Sequence, residues 1–242
     1  GDRVAAPHQH DKRLHRWRRP LHDQLDRPCH GYAPVRRKAG LPDRTRAGRN
    51  RLEGQLRQRP VRVLRRLGLE GEKFVLATIH RDNNTDNPER LTAITESLLE
   101  ITERGYKIVL PLHPRTKKLL PQNLSEDDYR KITSNPDILI IPPVSFFEII
   151  VLERHASLIM TDSGGLQKEA YFFRKPCLIL RPETEWVEIV EQHAGIITDA
   201  DKELIVRSFD EYIDTEPQFP PLFGDGHSAE FMLGKTLDII GR

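Results

Sequence analysis

A chain of 242 residues with a net charge of +2 is long enough for one large domain or two small ones, with ample length for a buried core. No apolar run approaches the roughly 20 residues of a membrane span, and no charged start with an apolar stretch marks a signal peptide. The two cysteines, Cys29 and Cys177, make neither a disulfide framework nor a metal cluster, so a reducing, cytoplasmic setting is expected.

The small net charge hides a split. Residues 1–70 carry 19 Lys and Arg against 7 Asp and Glu, and the remaining residues carry 19 against 29. Residues 1–62 show no sustained period of 2 or 3.6, and prolines interrupt every candidate helix. Three readings of this segment stand: a nucleic-acid arm, a solvated disordered stretch, or a piece that is not native coding sequence, such as an out-of-frame translation. Clustered arginine suits phosphate. The aromatic residues Trp17 and Tyr32 offer no stacking platform, however, so no nucleic-acid partner is expected. Five of the ten histidines lie here without metal-like spacing.

From about Val63 regular elements appear. LRRLGLE reads as a short helix ending at Gly68, and KFVLATI (73–79) as a strand covered on both faces. NPERLTAITESLLEITERG is a helix with Asn87 as cap, Pro88 at its first position, Leu91, Ile94, Leu98 and Ile101 on one face, and Gly105 as its close. YKIVLPL is a strand, LSEDDYRKIT a helix capped by Ser125, DILIIPP a strand, and SFFEIIVLERHA a helix. SLIMT, GLQKEAYFFR, PCLIL and ETEWVEIVEQ continue the alternation. A weak strand at AGIIT and helices near 201–213 and 228–240 close the chain. Alternating strands and helices with short loops mean βα units on a parallel sheet. The expected fold class is α/β, a Rossmann-like doubly wound domain over roughly 70–225 within a unit of 63–242.

In such sheets ligands bind beyond the carboxyl ends of the strands. That rim collects His80 with Arg81, His113 with Arg115, and Arg181. It also collects MTDSGGLQKEA, where a hydroxyl and two glycines stand between strand and helix. Gly164 and Gly165 let backbone N–H groups approach a ligand at a positive helix N-terminus, with the Ser163 hydroxyl beside them, which makes an anion cradle suited to phosphate. The alternative is a helix cap with a packing glycine pair. Glu169 lies a turn and a half into the helix, within reach of ribose hydroxyls. No Walker loop and no GxGxxG is present, so neither of those nucleotide motifs is expected.

TIHRDNNTDNPERL, PLHPRT, MTDSGGLQKEA, LRPETEW and FGDGHSAE together resemble the non-hydrolysing UDP-N-acetylglucosamine 2-epimerases, from about Leu64 to the C-terminus. The resemblance implies one half of a two-domain, glycosyltransferase-B-like architecture, the half that holds UDP. It implies that His80, Ser163, Gly164 and Gly165 surround the diphosphate, with His80 in a catalytic role. It implies Arg181 near the phosphates, Glu169 at the ribose, and 143–149, with Phe146, near the uracil. Arg81 and His113 join them as substrate-binding candidates, and Asp162, Glu183 and Glu185 are expected around the nucleotide. The implied reaction removes the C2 proton, expels UDP and returns it to the opposite face, interconverting UDP-GlcNAc and UDP-ManNAc. It needs no cofactor and no metal. The implied setting is a cytoplasmic homodimer serving polysaccharide biosynthesis. Asn83 and Val187 stand where the family usually has Glu and Pro. The opposing domain, which supplies the acid and base at C2, has no counterpart in residues 1–62. A glycosyltransferase domain and a non-catalytic nucleotide-binding module are the competing readings.

Overall fold

The computed structural model describes residues 62–215, 217–224 and 226–241. The expectation about residues 1–62 falls, save for its last residue, outside them. The first described element, α1 (62–66), is followed by Gly68 at φ +65°, a left-handed turn that ends the helix. Then come β1 (Phe74–Thr78), α2 (Asp82–Thr85), α3 (Pro88–Thr102), β2 (Lys107–Pro111), α4 (Pro114–Asn123), α5 (Glu126–Ser134) and β3 (Ile138–Ile141). The second half runs α6 (Phe146–His155), β4 (Leu158–Thr161), α7 (Gly164–Phe172), β5 (Cys177–Ile179), α8 (Val187–Glu191), β6 (Gly195–Ile197), α9 (Lys202–Ile213) and α10 (Ser228–Ile240).

All six strands are parallel, in the order β3-β2-β1-β4-β5-β6. The chain winds outward from β1 to β3, then crosses back through α6 to start β4 beside β1. The strand order therefore reverses between β1 and β4, the place at the carboxyl ends where open α/β sheets bind ligands. This is the expected Rossmann-like doubly wound sheet.

The strand interiors are apolar because both faces are covered, and polar residues such as Thr78, Lys107 and Thr161 stand at strand ends. Val75, Ala77, Ile108, Leu110, Leu158 and Met160 pack on one side with Leu91, Ile94, Leu98 and Ile101 of α3, Ile132 of α5, and Ile205 and Phe209 of α9. Their neighbours Phe74, Leu76, Val109 and Ile159 pack on the other side with Val63 and Leu64 of α1, Val151 and Leu152 of α6, and Ala170 of α7. The alternation is the two-residue period of a strand. The two expected caps are in place: Asn87 accepts from the Arg90 N–H and Ser125 from the Asp128 N–H. Ser145, not singled out from the sequence, forms a reciprocal capping box with Glu148.

Two helices depart from expectation. α2 is a single turn after β1, and α4 carries Pro114 and Pro121 within ten residues. Pro114 occupies the first helical position, where no N–H is needed, and Pro121 falls in the last turn. Only Thr116 and Leu120 of α4 are buried, so no apolar stripe announces it. In α10 no residue is buried, and Phe231, Met232, Leu233, Leu237, Ile239 and Ile240 are exposed. Among the described residues no helix is long and apolar enough to cross a membrane.

Phe209 is fully buried and meets the Tyr106 ring edge-on at 5.2 Å. Phe209→Ala is expected to lower the unfolding free energy by about 3–5 kcal/mol, read from urea denaturation. A loss below about 1 kcal/mol would mean that α9 is not clamped to the sheet here.

Candidate functional site

The site begins with a buried carboxylate at the switch point. The register of β1 and β4 sets Thr78 opposite Thr161, and their hydroxyls bond at 2.6 Å. Asp162 follows Thr161 and is 0% exposed. Its oxygens accept from the His80 N–H at 2.9 and 3.1 Å, the Arg81 N–H at 2.9 Å and Asn84 Nδ2 at 3.1 Å. Asn84 also donates to the Leu180 carbonyl at 2.9 Å, and its own carbonyl accepts from Arg90 Nε and Nη2. Arg90 Nη1 reaches Asp199 at 3.0 Å. The sequence reading sets Asp162 around the nucleotide; in the structure its carboxylate is fully buried and faces protein donors. It spends its lone pairs on the turn that follows β1 and fixes the backbone of His80 and Arg81, whose side chains are exposed.

The Ser163-Gly164-Gly165 turn shows the helix cap and close glycine packing of one sequence reading, and places a helix N-terminus where the other sets an anion. Ser163 is the N-cap of α7: its hydroxyl accepts from the Leu166 N–H at 3.5 Å, and its own N–H donates to the Thr161 hydroxyl at 2.9 Å. Gly164 and Gly165 are the first two helical residues, whose N–H groups have no carbonyl one turn earlier in the helix. A Cβ on Gly165 would meet nothing closer than Ser163 Oγ at 3.7 Å, so there is open space on the side-chain side of this residue. A Cβ on Gly164 would sit 3.0 Å from Glu185 Oε2.

That contact ties the loop after β5 to the cradle. Arg181 Nη1 donates to both Glu185 oxygens at 3.0 and 2.9 Å, with the Arg181 side chain 13% exposed. The hydrogen bond from Glu185's own backbone N–H, then the bond and charge of Arg181, hold the Glu185 carboxyl below its usual range, and the Arg81 charge adds to this. Trp186 Nε1 donates to the Gly164 carbonyl at 2.7 Å. Lys168 of α7 lies over the Trp186 and Phe223 rings at 4.4 and 4.5 Å. Asp162, Asn84 and Trp186 are the site-forming residues that sequence reasoning did not single out for this task. Asp162 and Asn84 lie close in sequence to the glycine turn and to His80, which could have flagged them; Trp186 is brought to Gly164 only by the fold.

His80, Arg81, Ser163, Gly164, Gly165 and Arg181 therefore lie together at the carboxyl ends of β1, β4 and β5. Glu169 lies farther along α7, half-buried. His113 is on the β2 rim, where it caps α4: its Nδ1 accepts from the Arg115 N–H at 3.3 Å. Arg115 in turn binds Asp86 through Nη2 at 2.7 and 2.6 Å and Thr85 through Nη1 at 3.0 Å. Phe146 opens α6 beyond β3, 63% exposed, with its ring 5.8 Å from Phe147. No hydrogen bond or ring contact among the described residues joins either one to the cradle.

This arrangement meets known proteins. The family model described as UDP-N-acetylglucosamine 2-epimerase matches residues 43–235. The chain belongs to that family. The matched span opens at residue 43, inside the basic segment. The chain is 39% identical over 168 residues to a UDP-N-acetylglucosamine 2-epimerase homolog of Methanococcus maripaludis, covering 69% of this chain and 45% of the relative. It is 44% identical over 135 residues to the UDP-2,3-diacetamido-2,3-dideoxy-D-glucuronate 2-epimerase of Pseudomonas aeruginosa, covering 56% and 36%. The solved Methanocaldococcus jannaschii UDP-GlcNAc 2-epimerase in complex with UDP-GlcNAc and UDP superposes with a TM-score of 0.63 at 36% identity, over 75% of this chain and 48% of that one. The chain thus spans less than half the length of these 2-epimerases.

Asp162→Asn keeps the shape but turns an N–H₂ toward backbone N–H donors. It is expected to lower stability by at least about 2 kcal/mol, since hydrogen bonds to a charged group contribute roughly 1.5–3 kcal/mol each. Amide hydrogen exchange at His80 and Arg81 should accelerate with it. Unaltered exchange at both positions would refute the anchoring role.

Proposed function

We propose that this chain is the nucleotide-holding half of a UDP-sugar 2-epimerase acting on UDP-N-acetylglucosamine. The observation that carries the proposal is the helix N-terminus at Gly164 and Gly165, with open space beside Gly165, set at the switch point near His80 in a chain of this family. Support for the ligand comes from the M. jannaschii relative, whose structure holds UDP-GlcNAc and UDP. The closer match over a shorter span to the P. aeruginosa enzyme favours a second reading within the same reaction class, with a different 2-acetamido sugar on the same UDP.

The chemistry follows from charge. When the bond from C1 of the sugar to the diphosphate breaks, negative charge gathers on the departing phosphate oxygen. Donors fixed beforehand in a cleft stabilise that charge as it forms. The Gly164 and Gly165 N–H groups, the positive end of α7, His80 and Arg181 are the donors in this reading. Arg181 would exchange its bonds to Glu185 for bonds to phosphate. Glu169 accepts from the ribose hydroxyls, and Phe146 belongs to the uracil side. The same groups hold the released UDP until it adds back. Proton removal at C2 needs a base on the opposite side of the sugar, which in this reading belongs to the facing domain. The homodimeric, cytoplasmic setting in polysaccharide biosynthesis is part of the same proposal and rests on the family resemblance alone.

Three measurements test the reading. Gly165→Val fills the open space beside Ser163 and should abolish detectable UDP binding in calorimetry while leaving the fold intact. UDP affinity equal to wild type would remove the cradle. Glu169→Gln should cost about 1–3 kcal/mol of UDP binding and leave the weak binding of uracil unchanged. Equal losses for both ligands would take Glu169 away from the ribose. Exchange of solvent deuterium into C2 of UDP-GlcNAc should be slow or absent with this chain alone and rise when an intact amino-terminal epimerase half is added. Rapid exchange by the chain alone would show that the base lies within it.

A further inference from the structure

Two carboxyl side chains are fully enclosed among the described residues, Asp162 and Glu153, each 0% exposed. The oxygens of Asp162 are met by N–H groups. Those of Glu153 are not: neither Oε1 nor Oε2 receives a hydrogen bond from an N–H or O–H of the described residues. Glu153 lies on α6, which packs against α7. The ionisable group that bears on it from α7 is the carboxyl of Glu169.

Two ionised carboxylates are both acceptors, so nothing can bond them to each other. One proton between them makes a bond possible. The surrounding charges do not offer another solution. Arg66 of α1 pairs with Glu148 at the start of α6 at 2.8 Å, and Arg65 pairs with Glu70. His155 Nδ1 is bonded to the Val151 carbonyl within α6, and Lys168 of α7 lies over Trp186 and Phe223. The strand residues behind α6 are apolar, among them Leu76 and Ile159. Burial first, then the hydrogen bond and the charge of Glu169, push the Glu153 carboxyl up to about 9.

We propose that Glu153 is the protonated member of an acid–carboxylate pair, and that its O–H, donated to Glu169, positions the Glu169 carboxylate for ligand hydroxyls. Glu153 is a positioning residue and touches no ligand. Its positioning task rests on the reading that Glu169 meets the ribose; the shared proton does not.

The pair has a pH signature. Between the ordinary glutamate range and about pH 9 the folded chain keeps a proton at Glu153 that the unfolded chain has released. Its contribution to stability is complete below that window, falls as pH rises through it, and is gone above. Past the upper end Glu153 ionises, the two carboxylates repel, and ligand binding weakens with them.

Urea unfolding of the full chain and of Glu153→Gln between pH 5.5 and 9 tests the shared proton. The amide copies the neutral acid and cannot titrate. The ratio of wild-type to variant folding constants is expected to fall about tenfold per pH unit, and a flat ratio overturns the pair. Should Glu153→Gln fail to fold, wild type with carboxyl-labelled glutamate must show a protonated-glutamate infrared band at pH 7 that vanishes near pH 9, and its absence overturns the pair equally. UDP titration at pH 7 tests the positioning. Glu153→Gln, which still donates to Glu169, should bind within about twofold of wild type, whereas Glu153→Leu should bind about tenfold more weakly. Wild-type affinity in the leucine variant overturns the positioning role. Comparison of UDP with 2′-deoxy-UDP separates the two ideas: a wild type indifferent to the missing hydroxyl refutes the ribose reading and leaves the proton-sharing result standing.

Discussion

Everything at the rim depends on one buried carboxylate. Asp162 draws two consecutive backbone N–H groups and an asparagine amide onto its oxygens, and so joins the ends of β1 and β4 across the point where strand order reverses. Through Asn84 and Arg90 the same network reaches the end of β5 at Leu180 and the turn after β6 at Asp199. A buried anion is costly unless every lone pair has a donor. The sequence therefore has to bring the His80 turn, Asn84 and α3 into place together. The exposed side chains of His80 and Arg81 can face a ligand because their backbone is held from beneath.

The sheet was legible in the sequence because burial on both faces leaves runs such as FVLAT and LIMT with no polar residue until their ends. α3 was legible because Leu91, Ile94, Leu98 and Ile101 recur at helical spacing behind an Asn-Pro start. α2 and α4 were not, for different reasons. α2 is one turn long and is held by Asp162 and the fold around it, not by its own sequence. α4 is mostly polar and carries two prolines that are harmless only in its first and last turns. At the site, the glycine turn pointed to the cradle by residue type alone. The roles of Asp162 and Glu153 could not be read that way, because a carboxylate that binds backbone and one that binds ligand have the same letter. Burial and donor geometry separate them.

Two rim residues depart from the family's usual pattern, and both departures are physically mild. Val187 is the first residue of α8 and 54% exposed. Proline suits that position because its N–H is not needed there, and valine makes the same turn with an N–H to spare. Asn83 sits in the exposed face of α2, its N–H bonded to the Asp82 side chain at 2.9 Å. Neither residue touches the Asp162 network. The cradle's geometry is set instead by close contacts that tolerate little change: the Trp186 indole on the Gly164 carbonyl and the Glu185 carboxylate 3.0 Å from where a side chain on Gly164 would begin.

The apolar surface of α10 bears on how the protein behaves in a tube. Phe231, Met232, Leu233, Leu237, Ile239 and Ile240 stand between 59% and 75% exposed on one thirteen-residue helix. Exposed apolar side chains in that number drive colloidal self-attraction, adsorption to plastic and air–water interfaces, and loss of material on concentration. The acidic excess of residues 71–242 opposes this through mutual repulsion, and salt screens that repulsion. Shelf life should therefore be longest in dilute, low-salt buffer, the reverse of what suits a protein held in solution by paired surface charges.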